Sequence, residues 1–252
     1  MITMNHLDVH QLKGSTLIGK VGYESPVSMR LSGGEVGVML GGKKPRQVIQ
    51  LIMNMGVVDQ GEIGFFGNPS HQWTMERSVS WRRKIGFAFR EMGLLSNLTI
   101  FDNVDLPARY HGYYSNDKDN GQLAEKALRD IAIPTAYWKK LPINVPDEIQ
   151  KKALLARAVV LQPSLLILDD PAALFPWPQL PALIRWISRK KANGTACLIS
   201  TDHYPFGITI ADWVLIPDFS PVDYNFKDNL DPSWVTIADI LMENVEHNEP
   251  VS

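Results

Sequence analysis

Apolar positions along this chain follow two spacings. Leu165 to Leu168 and Ala196 to Ile199 are unbroken apolar runs; without alternating polar residues they predict strands buried on both faces, as in a parallel sheet covered by helices. Leu17 to Lys20, Val27 to Leu31 and Glu35 to Leu40 predict short strands, with a turn at Gly33-Gly34. Val48, Ile49, Ile52, Met53 and Met55 share a broad helical face that ends at Gly56. Leu123, Ala127, Leu128 and Ile131 repeat that spacing over Gln122 to Ile133, and Thr99-Ile-Phe-Asp102 has the form of a capping box that opens another helix.

Composition narrows the class. The 252 residues suffice for one core, or a core plus a subdomain, and 25 basic against 27 acidic residues leave a net charge of -2. That balance argues against a nucleic-acid partner or a general anionic-membrane binder. No apolar run approaches the roughly 18 residues of a membrane span, and the first 30 residues lack the blocks of a signal peptide, so a cytoplasmic location is expected. The single cysteine, Cys197, sits in an apolar run and is expected to be a core residue. His6 and His10 flank Asp8, but no further Cys or His cluster completes a metal site, and His71 is isolated.

Candidate chemistry gathers where the run Leu165 to Leu168 ends in Asp169-Asp170-Pro171. Ligands of open parallel sheets bind at the carboxyl ends of strands, so the two carboxylates face either a ligand's metal and a reacting water or simply form a turn. The stretch KKALLARAVVLQPSLLILDDP, Lys151 to Pro171, resembles the ATP-binding-cassette (ABC) ATPases, in which a helix such as QRVALARALVLDP precedes a Walker B strand LLLLDEP. Ala156, Arg157, Ala158, Leu161, Pro163, Asp169 and Pro171 match. KIGFAFREMGLLSNLTIFDNV, Lys84 to Val104, is similar to the family's strand, Q-loop and entry into the helical subdomain, and GGEVGVMLGG to the strand that leads into its phosphate loop.

The resemblance implies ATP and Mg²⁺ as ligands and assigns each position a role. Asp169 falls on the Walker B aspartate, which holds Mg²⁺. Asp170 replaces the catalytic glutamate with a shorter carboxylate, still a general base in kind. Gly41, Gly42, Lys43 and Lys44 form a weak phosphate loop. Counting back from Gly61-Glu62-Ile63 by the family's usual spacing puts Pro45 at the Walker lysine, with Arg46 and Gln47 in place of the hydroxyl pair. Arg90 stands at the Q-loop glutamine; a guanidinium neither accepts a hydrogen bond nor ligates a cation, but it can pair with Asp169 or Asp170. The signature motif falls on Val145-Pro146-Asp147-Glu148-Ile149, where the acids suit a helix start and would repel phosphate. His203 stands one position late for the family's γ-phosphate histidine. Phe175 and Trp177 replace the segment that carries the interfacial aspartate, and the adenine-stacking aromatic has no counterpart, Tyr23 lying too close to serve.

The fold class implied is α/β, a P-loop NTPase fold of the ABC type: residues 1–95 and 150–217 as core, 96–149 as an inserted helical subdomain, and 218–252 as an extension with a short helix over Val235 to Asn244. The function implied is that of a transporter subunit with impaired or lost ATP use. It would dock on a separate permease chain at the inner face of the membrane and pair with a second ABC-type subunit. Met92, Leu94 and Leu95 are the candidate docking cluster. The sequence leaves open an ATPase with divergent loops, using Lys44, Asp169, Asp170 and His203, and a soluble regulator that kept the fold. The LTIFDNVDLP stretch is similar to lipid-transport and amino-acid-import ATPases, without fixing a substrate.

Overall fold

The computed structural model describes residues 5–16, 19–21, 26–69, 81–113 and 121–216. Tyr23, His71 and the extension, with the helix expected over Val235 to Asn244, lie outside them.

Strands β1 (Asn5–Thr16), β2 (Gly19–Val21), β3 (Val27–Ser32), β5 (Gly56–Phe65) and β6 (Asn68–Pro69) form an antiparallel sheet. Strands β4 (Val36–Leu40), β7 (Ile85–Ala88), β8 (Leu165–Asp169), β9 (Ala196–Thr201) and β10 (Trp213–Leu215) form a second, all-parallel sheet in the order β10-β4-β9-β8-β7. Helix α1 (Lys43–Ile52) follows β4 directly. Helices α2 (Ile100–Tyr110), α3 (Gln122–Asp130) and α4 (Thr135–Trp138) stand between β7 and α5 (Asp147–Val159); α6 (Leu180–Ala192) and α7 (Tyr204–Ile210) complete the described helices.

The unbroken apolar runs are the two-sided strands expected. Leu166 and Leu168 of β8, and Cys197 and Ile199 of β9, face a core built with α2, α3, α5 and α6. Leu165, Ile167, Ala196 and Leu198 face the opposite core, shared with α1 and the antiparallel sheet. Every residue of both strands is buried, and burial pushes the Cys197 thiol up to about 12.

Several expectations need correction. Of the strand placed at Leu17 to Lys20, Leu17 and Ile18 lie outside the described residues and Gly19 and Lys20 belong to β2, while the long β1 before them was not expected. Its period of two is broken by Gln11, held at φ 50°, where the register shifts so that Leu12 turns inward after Leu7 and Val9. Opposite it, Gly61 (φ +96°) passes so close that a Cβ would meet the Gln11 carbonyl oxygen at 2.4 Å, so only glycine fits there. His10 is exposed on β1. Helix α1 ends at Ile52, not Met55; Asn54 enters the left-handed region and Gly56 already starts β5.

The residues Asp147 and Glu148 occupy the first turn of α5, whose N-cap is Pro146, and they pair with Lys151 and Lys152 one turn on. They act through the helix dipole rather than as caps. The capping box at Thr99 does form, Asp102 N-H donating to Thr99 Oγ1 at 3.0 Å. Trp138 is core, its Nε1 donating to Ile133 O.

Candidate functional site

The parallel strand β8 delivers Asp169 and Asp170 side by side at its carboxyl end, Asp170 in the left-handed region at φ 49°. Both side chains are almost fully buried, so each charge needs a partner. The neighbouring β9 supplies hydroxyls: Ser200 Oγ donates to Asp169 Oδ1 at 2.7 Å and Thr201 Oγ1 to Asp170 Oδ1 at 3.0 Å. Two arginines supply charge. Arg46, on the first turns of α1, lies 3.1 Å from Asp169 Oδ2 through Nε and 3.0 Å from Glu91 through Nη1. Arg90 Nη1 donates to Asp170 Oδ2 at 2.9 Å. Burial nevertheless raises the Asp170 carboxyl above the ordinary aspartate range, helped by the charges of Asp202 and Asp169 and opposed by the Thr201 bond and Arg90.

The glycine turn before α1 is short. Only Gly41 and Gly42 separate β4 from the helix, Gly41 N-H is spent on Thr201 O at 3.1 Å, and Pro45 contributes no N-H. Lys43 and Lys44 are exposed at the helix start. His203 caps α7, its Nδ1 accepting from Phe206 N-H at 3.1 Å while its ring lies tilted against the half-exposed Trp177 with centroids 5.5 Å apart. It reaches Asp170 only indirectly, through a backbone N-H to Thr201 Oγ1. The structure thus brings together Asp169, Asp170 and Arg90. The reading of the sequence missed the part of Arg46, Glu91, Ser200 and Thr201 in this network.

The segment after Arg90 is held by Asn103. This fully buried amide accepts from Leu95 N-H at 2.7 Å and reaches the carbonyls of Leu95, Leu98 and Thr99. Of the expected docking cluster, Leu94 packs on the core and Leu95 is exposed. Met92 lines a groove of about 760 Å³ that runs from the end of α1 and β5 across β7 to α2 and α5. Phe175 is core, whereas Trp177 is not.

A parallel sheet with a glycine turn leading into α1, paired carboxylates ending a central strand, and helices inserted between β7 and α5 is the P-loop NTPase fold of the ABC ATPase type. The chain belongs to the ABC transporter family, whose model matches residues 25–173. It is 26% identical over 194 residues to the intermembrane phospholipid transport system ATP-binding protein MlaF of Escherichia coli K12, covering 75% of this chain and 71% of that protein. It is 28% identical over 175 residues to the ABC transporter ATP-binding protein YxdL of Bacillus subtilis, covering 66% and 65%. Among solved structures it resembles CbiO1 from Clostridium perfringens, part of the ABC transporter complex CbiONQ (TM-score 0.76, 18% identity, 97% of this chain and 98% of that one). The dimeric bacterial ABC transporter cassette MJ0796 is similar too (TM-score 0.73, 16% identity, 83% and 93%).

Proposed function

We propose that this chain is a transporter cassette whose nucleotide site has been filled by its own arginines, and that it serves as a docking or pairing subunit on the cytoplasmic face of a membrane permease, beside a second ABC-type subunit. The observation that carries the reading is the double ion pair, Arg46 with Asp169 and Arg90 with Asp170. A Mg²⁺ ion needs the aspartate's lone pairs and a hydroxyl ligand; here Asp169 is satisfied by Arg46 and Ser200, and by the family's usual spacing Arg46 stands in place of the hydroxyl. A triphosphate needs several free N-H groups and a lysine, and a two-residue turn whose first N-H is already bonded does not fit it. The residues present therefore do not fit Mg-ATP, and no hydrolytic step is assigned to Asp170 or His203.

Docking is supported by the groove beside Met92. Met55, Val58 and Phe87 expose large apolar side chains along it, a surface suited to receive a helix. No helix among the described residues is long and apolar enough to cross a membrane, which fits a separate permease chain. The core of residues 1–95 and 150–217 and the helical part, 96–149, would then grip the permease between them.

Calorimetric titration with Mg-ATP tests the nucleotide half. Several lost charge-assisted contacts of about 1.5 to 3 kcal/mol each place the dissociation constant beyond millimolar. A micromolar constant would overturn the reading and restore a working ATPase. Affinity purification of the full chain from its native membranes tests the docking half, a copurifying permease being the expected result.

A further inference from the structure

The helical part also meets the core along α6, and the join there is held by polar ties beside open space. A groove of about 840 Å³ runs along α6, its lining including the buried Ile131, Leu155, Phe175, Leu183 and Trp186. One tie stands at the start of α6, where Gln179 Nε2 donates to Glu148 Oε2 at 2.9 Å. The other gathers on Asp130, the last residue of α3. Trp186 Nε1 donates to Asp130 Oδ2 at 3.0 Å, Lys190 Nζ donates to the same oxygen at 2.5 Å, and Arg189 Nη2 donates to the Asp130 backbone carbonyl at 3.0 Å. Residues 186, 189 and 190 stand three and four apart, so one face of α6 presents all three donors.

This tie differs from the surface pairs around it. Trp186 is 2% exposed and the Lys190 ammonium lies 5.4 Å from its ring, so carboxylate, indole and ammonium fix one another in a partly dry place, where charge-assisted bonds are stronger than in water. Glu125 and Arg129, on the same α3, make an exposed pair that never leaves the helix. The two basic side chains also answer the negative end of the α3 dipole. Asp130 lines a second groove as well, of about 620 Å³ between α3, the end of α5 and the end of α6. The bridge it makes therefore stands between two openings, and along this stretch orientation depends on the bridge rather than on packed side chains.

We propose that Asp130 is a clasp that fixes the helical part in one orientation on the core, giving the subunit a single conformation with or without nucleotide. The inference goes beyond the function proposed above, since it concerns the join between the two parts and uses no residue of the nucleotide site.

The test measures a distance across the join in the full chain, by electron-spin distance spectroscopy on labels at Ile143→Cys in the helical part and Gln60→Cys on β5, both exposed positions; Cys197, fully buried, stays unlabelled. With Asp130 in place one narrow distance is expected, any second orientation staying below about 10%, and millimolar Mg-ATP should not move it. Asp130→Ala should shift the balance of orientations about tenfold or more and bring a second distance into view. Lys190→Met, which leaves Trp186 on the carboxylate, should release it less and carries the test if Asp130→Ala does not melt cooperatively. Glu125→Ala should leave the single distance as it was. A lowered melting temperature with one unchanged distance in both clasp variants would make Asp130 mere support for the fold and overturn the proposal. Two distances with the clasp intact would overturn it too, without touching the nucleotide reading. A distance that moves with micromolar Mg-ATP would remove the clasp and that reading together.

Discussion

The end of β8 and the groove beside Met92 treat buried charge in opposite ways. At the first, two carboxylates are each met by an arginine and a hydroxyl from the chain itself. At the second, the half-buried guanidinium of Arg157 has, among the described residues, only a carbonyl to answer it. The two places lie close along the chain, Arg90 and Glu91 serving the first and Met92 the second. A site that balances its own charges is rigid and has little left for a ligand, while one that leaves a charge over keeps binding energy in reserve for something outside. On the function proposed above, the difference separates a retired site from one still in use.

Removing Arg46 is the strongest way to break the comparison. Arg46→Met leaves Asp169 buried with Ser200 alone, and about 3 kcal/mol of stability should be lost, read as a lower urea midpoint at unchanged slope. Glu91→Gln, which removes only the exposed end of the same network, should change it by less than about 0.5 kcal/mol. A small effect of Arg46→Met would mean that the end of β8 is not internally balanced.

Asp170→Asn should act in the other direction. The raised carboxyl binds its proton more tightly in the folded chain than in the unfolded one, so between the ordinary aspartate value and its folded value stability falls as pH rises. Above that window the charge is a standing cost, and the amide, which still accepts from Thr201, should raise stability at neutral pH by about 1 kcal/mol. The gain should vanish as pH falls below the ordinary aspartate range. A constant gain across the titration would place its origin elsewhere.

In the isolated chain Arg157→Gln should be milder than Arg46→Met, within about 1 kcal/mol, because the lost bond to Gly93 is offset by relief of desolvation. Tyr110→Ser, which alters one of the most exposed side chains of the groove, should change stability by less than about 0.5 kcal/mol. If either costs as much as Arg46→Met, the groove is part of the fold's own support and the contrast dissolves.

Much of the fold was legible because two-sided burial leaves an unmistakable mark: nothing else explains Leu165 to Leu168 running into paired aspartates. The antiparallel sheet was not, since its central strand β1 carries polar residues on its outer face and its alternation is interrupted at Gln11 by a bulge that no local pattern announces. At the site, a pairing of Arg90 with Asp169 or Asp170 could be anticipated from the position of Arg90, and the structure settles it on Asp170. That of Arg46 with Asp169 joins residues 123 apart and depends on how α1 leaves β4, and a turn shortened to two glycines fixes that. Position in the sequence identified Arg46 as a replacement; only the geometry gives it an occupation. For the docking cluster the apolar character of Leu94 and Leu95 was plain, but their direction was not, because Asn103 sets the path of the segment through bonds to its backbone.

The order of strands in the parallel sheet carries a consequence for how the molecule is made. β4, near the start of the chain, lies between β9 and β10, from its end, and Val36 N-H donates to the Asp212 carboxylate across 176 residues. Translation at ordinary speed needs roughly 10 to 35 s to span that interval. Until β9 is made, late in that interval, β4 has neither sheet neighbour. Its Met39 face can be sheltered early by α1 and the antiparallel sheet, which are completed soon after it on the ribosome. The antiparallel sheet is therefore the nascent chain's first shelter, and damage to it, such as replacement of Gly61, should lower the yield of folded protein more than its effect on the finished molecule's stability would indicate.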